Sequence, residues 1–206
     1  EFRSYFKMAC NEYRSKNRTS IEKSRSLVHN VDHWLDENKK AEAGWKKESF
    51  CSYRKRYFKY LSSNGWPNKV VSEAERSSLE IVKKLGNPKS KSPFFRRGLV
   101  VGSVQSGKTA NFNGVINSAL DTGYELIIVL SGLMEDLRKQ TQLRIENDVI
   151  GNWKGGEKYK GVGNICAFSG FLEAEDCKIS QIESITSVET DFNTGLLGAG
   201  ITLAGK

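Results

Sequence analysis

The sequence predicts an α/β fold built on a parallel sheet and preceded by a basic α-helical region, and three observations carry that prediction. Residues 102–109 read GSVQSGKT, which fits the pattern GxxxxGK[ST] at every fixed position. A short apolar run (Leu99, Val100, Val101) leads into that loop, and a stretch with helical spacing follows it. Residues 124–130 (YELIIVL) are nearly all apolar, as a strand at the centre of a parallel sheet is.

Residues 1–87 read as helices. Thr19-x-x-Glu22 is a capping box that opens a segment with Ile21, Leu27, Val28, Val31, Trp34 and Leu35 on one face. A second helix, from about Cys51 to Leu61, carries Tyr53, Tyr57, Tyr60 and Leu61 on one side, with Arg54, Lys55 and Lys59 elsewhere. Ser72-x-x-Glu75 is another capping box. Its helix is expected to end at Gly86, with Lys83 and Lys84 in the last turn and Pro88 beyond. Residues 87–93 (NPKSKSP) are polar and proline-bounded and read as a connector, dividing a helical region, 1–93, from an α/β region, 94–206.

After the loop, Phe112, Val115, Ile116 and Ala119 recur at helical spacing, closed by Asp121, Thr122 and Gly123. Ser131 and Gly132 end the expected central strand. Residues 133–145 then read as a helix with Met134, Leu137, Thr141 and Ile145 along one face. Beyond Gly151 the pattern thins, leaving 164–168 and 182–188 as candidate strands.

The loop carries the chemistry. A strand that ends in such a loop curls backbone N–H groups around the phosphates of a nucleotide. Gly102 and Gly107 supply backbone angles and close approaches that a side chain would block. Lys108, the candidate catalytic residue, reaches for the β- and γ-phosphates, and the Thr109 hydroxyl for Mg²⁺. Ser103, Val104, Gln105 and Ser106 fill the variable part, where backbone does most of the binding and side chains either touch the nucleotide or simply complete the loop. The ligands implied are ATP and Mg²⁺, and the fold implied is a P-loop NTPase with a RecA-like sheet. Hydrolysis also needs an acidic residue to hold Mg²⁺ and orient water. No apolar run ending in Asp or Glu follows Thr109, and the run before Asp191 is too polar, so this element is expected beyond residue 206.

Residues 130–145 (LSGLMEDLRKQTQLRI) occupy the position where helicase-like ATPases contact nucleic acid. Ser131 and Gly132 offer N–H groups to a phosphate backbone, and Arg138, Lys139, Gln140 and Arg144 add donors. In a parallel sheet the loops after Val101 and Leu130 would share one edge. The alternative is a solvated helix face packed on the sheet. Residues 52–60 (SYRKRYFKY) interleave basic and aromatic residues as a stacking surface does, although an aromatic stripe at helical spacing suits a core better. His29 and His33 lie one turn apart, but they are the only histidines, and a zinc site wants at least three protein ligands.

The net charge of +8 conceals an asymmetry. Residues 1–98 hold 23 Lys and Arg against 11 Asp and Glu, a net +12, whereas residues 99–206 hold 9 against 13, a net −4. A basic half beside a nucleotide site suits partnership with DNA, and equally a Lys-rich solvated surface. The longest apolar run, 126–130, is far too short to span a bilayer, so no membrane role is expected. No apolar segment near the start marks export, and four scattered cysteines without a CxxC pair suit the cytoplasm. A chain that starts at Glu1 and ends in a Gly/Ala-rich run reads as part of a longer protein, whose remaining domains are expected partners.

From Trp66 to Gly151 the chain resembles the Z1-domain proteins, bacterial proteins described as endonucleases with a helicase-like ATPase core. The resemblance rests on GWPNKVV, RRGLVVGSVQSGKTANFNGVIN and GYELIIVLSGLMEDLRKQTQLRI, with SITSVETDFN as a further segment. It implies a superfamily-2-like motor fold, use of ATP and Mg²⁺, and a role in DNA restriction or phage defence. It carries Gly102, Gly107, Lys108 and Thr109 over as nucleotide ligands and places residues 131–142 near nucleic acid. Any nuclease residues would lie outside this chain. The expectation is a DNA-dependent ATPase, against two rivals: a nucleotide-gated binding or regulatory module without motor action, and a small-molecule kinase, which the basic helical region and missing lid disfavour.

Overall fold

The computed structural model describes residues 34–35, 53–101, 107–151, 161–164, 182 and 184–191. Four helices organise them: α1 (Tyr53–Ser63), α2 (Asn68–Val82), α3 (Lys108–Asp121) and α4 (Glu135–Ile145), which runs into a π-helical turn, Glu146–Ile150.

Helix α1 buries Tyr57, Phe58 and Leu61, one turn apart on one face, and leaves Lys55 and Lys59 exposed. Both oxygens of Asp121, at the end of α3, accept from its first N–H groups, Tyr53 at 2.8 Å and Arg54 at 3.0 Å. This satisfies two of the N–H groups that the first turn of α1 leaves without an intrahelical acceptor. Helix α2 starts at Asn68, four residues before the capping box at Ser72 that was expected to open it. Pro67 sets that start, since its fixed φ of −59° suits a helix entrance and it has no N–H to satisfy.

Helix α3 packs most extensively on α2 and next on α1. Gly114 permits the approach. A Cβ there would lie 2.8 Å from the Phe58 ring and 2.8 Å from Ser78 Oγ. The core gathers Tyr57, Phe58, Leu61, Val71, Ala110 and Val162, with Trp66 and Tyr60 against its edge. Two further bonds fasten the end of α2, from Trp34 Nε1 to Leu85 O and from the Tyr124 hydroxyl to Gly86 O, both 2.6 Å.

The expected α/β fold with a RecA-like parallel sheet is overturned. Among the described residues there is no strand, and about 54% are helical. The two apolar runs that predicted strands have no regular secondary structure, and backbone hydrogen bonds join neither into a ladder among the described residues. Leu99 and Val101 are 86% and 84% exposed, and Leu126, Ile128 and Leu130 also face outward, Leu130 at 91%. Apolar content expresses a demand for burial. A strand needs in addition a partner about 4.8 Å away, and these runs have none among the described residues. Residues 182 and 184–188 likewise form no strand, and Asn164 ends a short helical turn, with 165–168 outside the described residues. The argument that the loops after Val101 and Leu130 share one sheet edge falls with the sheet.

Two helix faces also differ from expectation. In α3 Ile116 and Ala119 are buried as expected and Phe112 and Val115 are half-buried, but the buried side also includes Asn113, Gly114, Asn117 and Ser118. In α4 the buried side chain is Gln142, while Met134 and Leu137 are exposed. No helix among the described residues is long and apolar enough to cross a membrane. Of the Thr19 segment only Trp34 and Leu35 are described: Leu35 is buried as expected, and neither is helical. The rest of that segment and the two histidines lie outside the described residues.

Candidate nucleotide site

The phosphate-loop motif runs directly into a helix. Gly107 is the residue before α3, with φ +75° and ψ 24°, a left-handed conformation that favours glycine. A Cβ there would meet nothing within 4 Å, so the loop's end faces open space. Lys108 and Thr109 are the first two helical residues. Lys108 is exposed and Thr109 half-buried. Gly107 has no side chain to cap α3, and the leading N–H groups of a helix have no acceptor within it. Gly102, Ser103, Val104, Gln105 and Ser106 lie outside the described residues.

Beside this helix start is a cavity of about 390 Å³, lined by Tyr57, Leu61, Trp66, Gly107, Lys108, Thr109, Ala110 and Asp148. Its wall joins an apolar, aromatic portion from α1 and the turn after it to a cationic and hydroxyl-bearing portion from α3. That mixture suits a ligand with a planar apolar part and an anionic part. Tyr57 is fixed there by donating to Ala110 O at 3.2 Å. Burial, and then the charge of Asp148, push its hydroxyl pKa well up, so it stays protonated.

Two rungs tie α3 to the end of α4. Arg144 Nη1 donates to Thr109 Oγ1 at 3.3 Å. One turn along both helices, Asn113 Nδ2 donates to Asp148 Oδ2 at 2.6 Å. Asn117 Nδ2 extends the contact, donating to Asp148 O at 3.1 Å and to Asn113 O at 2.8 Å. Burial raises the Asp148 carboxyl above its ordinary range, and the Asn113 hydrogen bond and Arg144 charge oppose that rise. The acid stands on a π-helical turn, where the widened ladder shifts side chains out of α-helical register.

The sequence marked neither Asp148 nor the cavity's aromatic wall. An acidic residue was sought at the end of an apolar run, whereas Asp148 sits in the polar stretch ENDVI. The one available signal was the Asn113–Asn117 pair, two amides a turn apart on the helix after the loop, which demand a polar partner when buried.

The four residues assigned to nucleic acid have different surroundings. Gly132 and Gln140 are exposed and Ser131 is half-buried. Arg138 is engaged within the molecule. It pairs with Glu135 at 2.7 Å and donates to the carbonyls of Ser187 at 2.9 Å and Val188 at 2.7 Å. Gln142 strengthens the same docking, donating to Thr186 O at 3.0 Å and accepting from the Thr186 hydroxyl at 2.7 Å. In residues 52–60 the core reading describes Tyr57 and Phe58, which are buried. Arg54 there pairs with Glu75, and Arg56 donates to Val149 O and lies over the Tyr53 ring.

Mg²⁺ typically uses one or two carboxylates plus phosphates and water rather than a closed protein cage. Among the described residues no group of three His, Cys, Asp or Glu could hold a metal alone. A hydroxyl (Thr109) and a carboxylate (Asp148) on one cavity wall fit that open, nucleotide-assisted mode. No protein-family model matches the chain, and searches of curated proteins and of solved structures return no match.

Proposed function

We propose that this chain binds ATP with Mg²⁺ at residues 102–109 and serves as the ATPase part of a DNA-acting enzyme. The observation that carries the reading is the coincidence of the GxxxxGK[ST] motif with the start of α3 and with a cavity lined by Gly107, Lys108 and Thr109. In this reading Lys108 neutralises the β- and γ-phosphates and the Thr109 hydroxyl binds Mg²⁺. The metal supplies charge neutralisation across the phosphates. The cavity volume lies within the roughly 300–1,000 Å³ usual for ligand sites. The DNA assignment, and a place in restriction or phage defence of the Z1-domain kind, rest on the basic first half and on the resemblance in residues 66–151.

A second reading has its own support. Arg138 and Arg144 of α4 are held by Val188, Ser187 and Thr109, which suits a nucleotide-gated switch that releases α4 on binding. Sustained ATP turnover separates an ATPase from a switch, which binds without turnover.

Titration calorimetry of ATP·Mg²⁺ tests the site itself. Lys108 is exposed, so Lys108→Ala should fold normally, and affinity should fall roughly tenfold or more with the loss of a charged hydrogen-bond donor. Equal affinity in the two proteins would exclude the assignment.

A further inference from the structure

We propose that Asp148 is the acidic arm of the metal site, holding the cation of the bound nucleotide together with Thr109. The inference rests on the nucleotide reading above and adds a residue to it. Its basis is the placement of three groups. Thr109 and Asn113 occupy successive turns of one α3 face, and Asn113 Nδ2 holds Asp148 Oδ2 at 2.6 Å. The carboxylate is thereby held against α3, and both Thr109 and Asp148 line the same cavity with Lys108.

Asn113 provides an independent sign of a ligand. It is wholly buried, and its Oδ1 has no hydrogen-bond partner among the described residues, although the other end of the same amide is bound to Asp148. An orphaned buried acceptor costs roughly 1–3 kcal/mol. A water in the shell of a cation at Asp148 supplies the missing donor. Asn113 lies behind the cavity wall: it does not line the cavity itself, but its two side-chain neighbours Tyr57 and Asp148 do. Arg144, now on the Thr109 hydroxyl, is the group a cation would displace or repel.

The first test uses the unaltered 206-residue chain. With ATP present and Fe²⁺ in place of Mg²⁺, ascorbate and peroxide generate radicals at the metal that cleave nearby backbone, and mass spectrometry maps the cuts. ATP-dependent cuts are expected at residues 107–110 and again at 147–149. Cuts at the loop with none near Asp148 would overturn the inference and leave the nucleotide reading intact. An absence of any ATP-dependent cut, together with no calorimetric ATP binding, would remove the nucleotide reading itself.

The second test is Asp148→Asn, which keeps an oxygen to accept from Asn113. Metal-free ATP affinity should be unchanged or higher. The increase in ATP affinity produced by Mg²⁺ should shrink roughly tenfold or more relative to wild type. A Mg²⁺ effect of wild-type size in a folded Asp148→Asn protein would mean that the carboxylate only braces α3. Should that variant fail to fold, the cleavage map on the unaltered chain decides.

Discussion

At the scale of single residues, Asp148 sets a conflict between charge and burial. Its carboxyl is raised chiefly by desolvation, so the folded chain holds that proton more tightly than the unfolded chain does. The sign follows from linkage: the ionised form is a penalty above the folded pKa, and the penalty fades as pH falls through that value toward the unfolded value near about 4. The charged and titratable groups around it are Arg144 from α4, Tyr57 from α1 and Lys108 from the start of α3. Without metal or nucleotide, Asp148→Asn should therefore melt higher than wild type at neutral pH. The gap should close on acidification. Paired melting curves across that range check this, and a gap independent of pH would mean the carboxylate carries no such penalty. Such a cost is usual where an ionisable group serves a ligand. The GxxxxGK[ST] motif can be read from the sequence because its spacing is local. Asp148 cannot, because its role arises from a contact with Asn113, 35 residues away.

At the scale of elements, α1 depends on α3 for its start. No side chain within α1 contributes an acidic first turn, and Asp121 supplies both acceptors from the far end of α3. Asp121→Ala should destabilise the chain by about 1 kcal/mol, within the roughly 0.5–2 kcal/mol typical of lost N-caps. Amide exchange should accelerate in the first turn of α1 and leave α2 unchanged. Unaltered exchange at Tyr53 and Arg54 would show that these bonds are replaceable by water. Helix extents were largely legible: α1 lies within two residues of its expected ends, and α3 closes at Asp121 as its punctuation indicated. Helix faces were less so. Hydrophobic spacing selected Phe112, Val115, Ile116 and Ala119, of which Ile116 and Ala119 are buried, but it passed over Asn113 and Asn117, buried amides that answer to Asp148. A periodicity argument weighs apolar residues and is blind to a polar stripe whose partners come from elsewhere in the chain.

At the scale of the whole molecule, the described helices of the basic half and α3 share one core, so the start of α3, with Lys108 and Thr109, is mounted directly on that half of the chain. Lys55 and Lys59 of α1 are exposed on that part, while Arg54 and Arg56 serve internal contacts. Duplex DNA should be retained at low salt without regard to sequence. Its affinity should fall with a log–log slope of about −0.9 per phosphate neutralised. Filter binding across a salt series measures this, and weak, salt-independent retention would redirect the basic surface to another partner. The fold class was the least legible feature at this scale. Residues 99–101 and 124–130 have strand composition, but pairing is a relation between segments, and composition describes each segment alone.

Those exposed runs also govern how the chain behaves in solution. YELIIVL combines high β-propensity, little charge and no proline, and its alternate apolar side chains Leu126, Ile128 and Leu130 are exposed, which makes it a template for pairing between copies. Mutual repulsion from the net charge of +8 holds copies apart, and added salt shortens the range of that repulsion. Salt therefore acts twice in the titration described above, stripping the chain from DNA while bringing free chains together. Light scattering recorded alongside DNA retention should rise as retention falls, and scattering that stays flat to high salt would mean that these runs are covered in solution.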